Sequence, residues 1–163
     1  MLRCVRQPPA HHAVQPGRRH RGRRRRRRGP AGPDRQGPVP RLDGGGTVAS
    51  GSAVKQWGWA GSTNLQWQLI DLGGWYRIVN RTNGLVLDSA GNAANGAPCR
   101  QSTWNGGNNQ QWRLNDAGSG RRQIINRGTG TAIDGMGNAT AGSTVALWAP
   151  NTNTNNLWTV TTL

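Results

Sequence analysis

The sequence predicts an all-β fold made of three copies of one unit. Asp43, Asp88 and Asp134 each precede a tryptophan by the same 24 positions, and the copies repeat with periods of 45 and then 46 residues. Short alternating segments in these copies are separated by clusters of Asn, Gly and Thr, which is typical of strands joined by turns. Units of this length cannot enclose a core alone, so we expect the three copies to close on one another.

Each copy ends in a run of amides followed by a tryptophan. The middle copy reads NNQQW at 108–112, and the flanking copies read TNLQW at 63–67 and TNNLW at 154–158.

The first copy differs from the other two at its beginning. YRIVNRTNGLVLD at 76–88 matches RQIINRGTGTAID at 122–134, so both of these copies open with a strand. The segment directly before Asp43 instead contains three prolines, which are incompatible with a regular strand ladder. We therefore expect the first repeat to lack its opening strand, at a cost of about 2 to 5 kcal/mol for the gap left in the core.

The chain divides by composition into a basic segment at 1–41 and a repeat body at 42–163. The basic segment has thirteen Arg and one Asp, whereas the body has eight Lys or Arg and five Asp. The repeats of the body span about 42–73, 74–119 and 120–163. Because the basic segment has almost nothing to bury, it is predicted to be a disordered Arg/Gly/Pro-rich tail.

Three interpretations of the tail are open. The run Arg23–Arg28 would neutralise phosphates and bind nucleic acid, or the tail is solvated and has no partner. The same composition is also typical of GC-rich DNA translated in the wrong frame or from a misplaced start. The N-terminus shows no secretory signal, and no apolar stretch has the length that spans a membrane.

The sequence favours a binding protein over an enzyme. It contains no Glu, each repeat contributes one aspartate to its predicted site, and no His lies in the body. Paired carboxylates and nucleophile–base pairs are therefore not evident. One cysteine in each part and three histidines without acidic company predict no metal site, and no cofactor is predicted.

The threefold Asp-to-Trp spacing, with its amide-rich endings, resembles the ricin B-type lectin domain, also known as the family 13 carbohydrate-binding module. The resemblance covers about residues 40–163 and implies a β-trefoil that binds carbohydrate. It also implies that the amides before each final tryptophan satisfy buried backbone groups that water cannot reach, and that the tryptophans packed into the shared core are Trp67, Trp112 and Trp158. In such a site the aspartate accepts bonds from two sugar hydroxyls, the aromatic ring stacks on the sugar, and the asparagine bonds one of the same hydroxyls. The implied carbohydrate-binding residues are Asp43, Lys55, Trp57 and Asn64 in the first repeat and Asp134, Trp148 and Asn155 in the third.

The second repeat is expected to hold a weak or vestigial site. It keeps Asp88 and Asn109, but Ser102 stands where the stacking ring belongs. Trp104, two residues further on, either substitutes for that ring or fills a structural place, as Trp59 does in the first repeat. All three aspartates have a simpler interpretation as turn formers that bond nearby backbone.

The resemblance implies a galactose-, xylose- or arabinose-containing glycan as the partner and no membrane association. It also implies an extracellular protein, either a polysaccharide-targeting module of a secreted bacterial glycoside hydrolase or a small lectin, and we expect a monomer. The alternative is nucleic-acid or polyanion binding through the Arg-rich tail, with the repeats as a scaffold.

Overall fold

The computed structural model describes the backbone of residues 2–6 and the complete structure of residues 41–163. Thirteen strands form one continuous sheet in this part of the chain, and its helical segments are single 3₁₀ turns. No helix among the residues described is long and apolar enough to cross a bilayer. The strands are β1 (Leu2–Arg6), β2 (Arg41–Asp43), β3 (Ser52–Ala53), β4 (Lys55–Trp57), β5 (Trp67–Asp71), β6 (Tyr76–Asn80), β7 (Val86–Asp88), β8 (Arg100–Ser102), β9 (Trp112–Asp116), β10 (Arg121–Asn126), β11 (Ala132–Asp134), β12 (Ala146–Trp148) and β13 (Trp158–Thr162). The 3₁₀ turns are Thr63–Leu65, Asn108–Gln110 and Thr154–Asn156.

Six of the strands close a barrel. Going round it, β1 pairs with β5, β5 with β6, β6 with β9, β9 with β10, β10 with β13, and β13 again with β1, all antiparallel. Closure leaves no unpaired strand edge in the barrel wall. Each repeat contributes two of these strands, so the architecture is the predicted all-β trefoil of three repeats.

The opening strand of the first repeat is present, which corrects the expectation that it is missing. It is β1, at residues 2–6, and Leu2 pairs with Trp67 as Tyr76 pairs with Trp112 in the next repeat. Val5 pairs with Arg41 at the start of β2. The strand lies further upstream in the chain than the segment with the three prolines, which is outside the described residues. The predicted disordered tail at 1–41 thus includes β1 and the first residue of β2, and residues 7–40 lie outside the described part of the structure.

The other end of the molecule is built from three hairpins, β2–β4, β7–β8 and β11–β12. They meet at Val54, Cys99 and Val145, which are fully buried. The backbone N–H of Val54 donates to the carbonyl of Cys99 at 2.9 Å, Cys99 donates to Val145 at 3.0 Å, and Val145 donates to Val54 at 3.0 Å. This ring of hydrogen bonds marks the pseudo-threefold axis.

The three tryptophans that end the repeats are core residues, as predicted, and none is exposed to solvent. Each indole donates to the backbone carbonyl of a residue 25 positions upstream. The bonds run from Trp67 to Leu42 at 3.0 Å, from Trp112 to Leu87 at 3.0 Å and from Trp158 to Ile133 at 2.9 Å.

The amides before each tryptophan hold the preceding loop in place. In the middle repeat, Gln110 accepts a hydrogen bond from the backbone N–H of Asn105 at 2.8 Å and donates to the carbonyl of Thr103 at 2.9 Å. Asn156 likewise accepts from the backbone N–H of Asn151 at 3.1 Å. Gln110 and Asn156 are themselves fully buried, so these bonds satisfy their side chains and give partners to the loop backbone. The amides thus bond backbone groups as expected, but the loop residues that carry those groups are not buried.

Candidate functional site

An aspartate–asparagine pair is found at the same place in each repeat. The side-chain amide of Asn64 donates to Oδ1 of Asp43 at 2.7 Å. The equivalent bonds are Asn109 to Asp88 at 2.7 Å and Asn155 to Asp134 at 2.7 Å. The aspartates end the second strand of each repeat and the asparagines lie in the 3₁₀ turns, so the fold brings together residues 21 positions apart.

The aspartates also form turns by bonding nearby backbone, so the simpler interpretation of them is confirmed. Oδ1 of Asp43 accepts the backbone N–H of Gly45 at 2.7 Å, and Oδ1 of Asp88 accepts that of Ala90 at 2.6 Å. Oδ1 of Asp134 accepts that of Met136 at 2.5 Å. The turn fixes Oδ1 of the aspartate in each repeat. The hydrogen bonds that Oδ2 accepts therefore depend on the side chains that surround it.

We call the groups built on these pairs the first pocket (Asp43, Trp57, Asn64), the second pocket (Asp88, Ser102, Asn109) and the third pocket (Asp134, Trp148, Asn155). In the first pocket all three residues line one cavity of about 230 Å³. Gln56 is buried on the inner face of β4 and Trp57 points outward, 46% exposed. The first pocket therefore presents an indole face and a carboxylate to solvent side by side, as the sequence predicted.

The third pocket has the same register but is less open. Asp134 pairs with Ala146 and Ala132 with Trp148, as Asp43 pairs with Lys55 and Arg41 with Trp57. Trp148 is half-buried, whereas Trp57 is exposed. Asp134 is only 1% exposed, compared with 8% for Asp43, so a ligand has much less access to its carboxylate.

The second pocket has no aromatic ring at the stacking position, which Ser102 occupies at the end of β8. Trp104 is half-buried beneath the guanidinium of Arg77, 5.1 Å from the ring centre. Trp59 is held in the same way by Arg41 at 4.9 Å. The two tryptophans are thus covered by cations in a similar manner, which favours the structural interpretation of Trp104 over a substitute ligand face.

Lys55, the remaining predicted residue of the first repeat, is exposed and shares the outer face of β4 with Trp57. It lies directly across the strand pair from Asp43, but it does not line the cavity.

The cavity has further lining residues that sequence reasoning did not identify as part of a site. They are Gly45, Gly46, Ala60, Ser62 and Leu65. The first four belong to loops, whose course no repeat pattern predicts. Leu65 had a visible signal, because it stands where the middle repeat has Gln110 in its pentapeptide.

Two further observations concern ionisable side chains outside and around the pockets. Burial and, to a smaller extent, the nearby charge of Asp88 together raise the pKa of the Cys99 thiol from 9.0 to about 12. Within residues 41–163, no three His, Cys, Asp or Glu side chains are grouped as a metal site would require.

The chain belongs to the ricin-type β-trefoil lectin family. A family model described as the ricin-type beta-trefoil lectin domain matches residues 74–163, and a second, described as ricin-type beta-trefoil lectin domain-like, matches residues 39–102. No curated protein sequence matches the chain at a significant level.

Solved structures with the same fold include a designed protein, an enzyme and a lectin. The designed threefold-symmetric protein ThreeFoil is 34% identical over 76% of this chain and 91% of its own, with a TM-score of 0.73. The exo-β-1,3-galactanase 1,3Gal43A from Clostridium thermocellum is 33% identical over 78% of this chain, with a TM-score of 0.70, and this chain spans only 28% of that enzyme. A ricin B-like lectin from Macrolepiota procera, solved in complex with lactose, is 21% identical over 76% of this chain and 86% of its own, with a TM-score of 0.61. Membership of this lectin family supports carbohydrate binding, and the solved structures support the fold.

Proposed function

We propose that this protein is a non-catalytic carbohydrate-binding protein and that its first pocket holds a sugar of a galactose-, xylose- or arabinose-containing glycan. The observation that carries the proposal is the convergence of Asp43, Trp57 and Asn64 on one cavity. A sugar ring has an apolar C–H face and a rim of neighbouring hydroxyls, so it is recognised by a flat aromatic surface beside a fixed charged acceptor.

The chemistry of each group follows from its contacts. Trp57 offers an exposed ring on which the C–H face of the sugar stacks. Asp43 is held by the backbone N–H of Gly45 and by Asn64, so its carboxylate is oriented before a ligand arrives. Preorganisation of this kind lowers the entropy lost on binding. The second N–H of the Asn64 amide is then available to a sugar oxygen.

The galactose-containing class is the first to test, because the Clostridium thermocellum relative is a galactanase. This chain corresponds to only 28% of that enzyme, so we propose that the domain serves as a polysaccharide-targeting module beside a bacterial glycoside hydrolase. Such a role places the protein outside the cell. Immunodetection in culture medium and in washed cells of the source organism tests the location, and a signal confined to the cells contradicts it.

A glycan array probed with the full chain tests the binding function. We expect signals on galactose-, xylose- or arabinose-containing glycans for the wild type and their loss in Asp43→Asn, which removes the charge but retains the shape. Asp71→Asn is the matched control, since Oδ1 of Asp71 accepts the N–H of Gly73 at 2.9 Å in a similar turn outside the pocket. An unchanged array for Asp43→Asn contradicts the assignment of the first pocket.

Salt dependence separates this function from its alternative. Binding of a neutral sugar by stacking and hydrogen bonds is expected to change little between low and high salt, whereas nucleic-acid binding through the Arg-rich segment at 7–40 would fall steeply. Fluorescence titrations with a neutral glycan and with a DNA duplex, each at two salt concentrations, distinguish the two. Tight, salt-sensitive DNA binding without glycan binding favours the alternative.

A further inference from the structure

The three aspartates differ in how much of their hydrogen-bonding capacity the protein itself uses. An ionised carboxylate has two oxygens and about four positions at which it accepts hydrogen bonds. A position that already receives an N–H from the protein is closed to a sugar hydroxyl. The donors around each aspartate therefore determine how many hydroxyls it accepts.

In the second and third pockets both carboxylate oxygens are engaged. Oδ1 of Asp88 accepts from Ala90 and Asn109, and its Oδ2 accepts the Gln110 side-chain amide at 3.0 Å. Asp134 accepts one hydrogen bond more than Asp88. Its Oδ1 accepts from the backbone of Met136 and from Asn155, and its Oδ2 accepts from Asn155 and Asn156.

In the first pocket the second oxygen of the carboxylate is open. Oδ1 of Asp43 accepts from Gly45 and Asn64, but Oδ2 receives no hydrogen bond from any residue that the structure describes. The cause is Leu65, which occupies the position of Gln110 and Asn156 in the other repeats and whose side chain has no N–H to donate. Leu65 is 1% exposed and lines the cavity, so it adds apolar surface where the others place an amide.

We propose that Leu65 makes the first pocket the dominant sugar site of the chain, because only there does the carboxylate have two open positions on one oxygen for two neighbouring hydroxyls. The second and third pockets have about one open position or none. The chain then binds a vicinal diol with one strong site rather than with three equivalent ones. This inference rests on the proposed carbohydrate binding by the same pocket. It adds that the first repeat holds the dominant site and that Leu65 is the residue responsible for the difference between the repeats.

The exposure of the carboxylates agrees with this order. Asp43 is 8% exposed, Asp88 5% and Asp134 1%, so the ranking by exposure matches the ranking by open acceptor positions. The ring adjacent to the most open carboxylate, Trp57, is also the more exposed of the two stacking candidates.

Isothermal titration of the full chain tests the inference, with lactose, xylobiose and arabinobiose as probes and the tightest of them used for the variants. We expect one strong site per chain, a loss of about tenfold or more in Asp43→Asn, and a change of less than about twofold in Asp134→Asn. Leu65→Gln is expected to weaken binding by about tenfold, because it adds a donor to Oδ2, while Leu65→Met, which adds none, leaves the affinity within about threefold.

The outcomes separate the inference from the proposed function. Equal losses in Asp43→Asn and Asp134→Asn, or two equivalent strong sites, overturn the inference while carbohydrate binding stands. Wild-type binding in a folded Leu65→Gln variant also overturns it. Failure of all three probes to bind the wild type overturns both. If Leu65→Gln fails to fold by circular dichroism, the two aspartate variants decide the matter.

Discussion

The side-chain amide of Asn64 lies 2.7 Å from Oδ1 of Asp43, and this bond orients the carboxylate of the first pocket toward the cavity that it shares with Trp57. The backbone carbonyl of Asn64 also accepts the N–H of Gly44 at 3.0 Å, so the residue ties the 3₁₀ turn to the end of β2. A substitution that removes only the side chain separates these two roles.

Asn64→Ala is expected to weaken glycan binding by about tenfold without unfolding the domain. It removes one hydrogen bond to a charged group, worth about 1.5 to 3 kcal/mol, and leaves the backbone bond from Gly44 intact. Asn109→Ala is the matched control, because it removes the same bond in the pocket that has no ring. Titration calorimetry and thermal melts of both variants measure the effect, and equal affinities for the two variants count against the assignment.

Trp57→Ala is expected to abolish most of the binding and to change the free energy of unfolding by only about 1 kcal/mol. The ring is 46% exposed, so the core is not disturbed, while the stacking surface for the sugar is lost. Trp104→Ala removes a tryptophan that is covered by Arg77 and serves as the control. The prediction fails if the control variant loses affinity and Trp57→Ala does not.

Removing β1 is expected to lower the free energy of unfolding by about 2 to 5 kcal/mol, from the loss of several backbone hydrogen bonds at about 1 kcal/mol each. All five residues of β1 pair with β13, and the strand closes the barrel between β13 and β5. A chain that begins at residue 7 is compared by urea unfolding with one in which residues 9–36 are replaced by a short Gly/Ser linker. Because the second chain keeps β1, only the first should be destabilised, and identical midpoints would argue against a structural role of β1.

Cys99→Val is expected to protect the fold at alkaline pH. Burial raises the pKa of Cys99 from 9.0 to about 12, so above pH 9 the thiol ionises in the unfolded chain but not in the folded one. Its contribution to stability is therefore complete below pH 9 and is lost as the pH rises toward 12, by about 1.4 kcal/mol per pH unit. Valine already occupies the equivalent positions, Val54 and Val145. Urea unfolding of both proteins at pH 8 and pH 10.5 checks this, and parallel losses of stability would show that Cys99 is not the cause.

The repeat register was predictable because it is carried by residues at fixed spacing. The spacings along the chain from Asp43 to Trp57, Asn64 and Trp67 recur in the third repeat. A role assigned to a residue in one repeat therefore predicts the same role for its counterpart in the other. The outward direction of Trp57 followed from strand alternation, because Val54, three residues earlier, supplies the inward side chain and the odd spacing turns Trp57 to the other face.

The position of the opening strand and the number of open acceptor positions on each carboxylate were not predictable in this way. The strand LRCVR at 2–6 is separated from β2 by residues 7–40, so it does not lie directly before Asp43, where the equivalent strands of the other repeats would place it. The open oxygen of Asp43 depends on which donors surround it in space. The sequence shows that Leu65 departs from the amide pattern, but only the packed structure shows that this departure leaves Oδ2 of Asp43 without a donor among the described residues.

The most direct measurement of the central claim is a heteronuclear NMR titration that follows the indole N–H signals of the eight tryptophans as a glycan is added to the full chain. The signal assigned to Trp57, by its absence in Trp57→Phe, is expected to shift most, that of Trp148 less, and those of the buried Trp67, Trp112 and Trp158 little. A glycan that binds while the Trp57 signal stays in place would contradict the account of the first pocket.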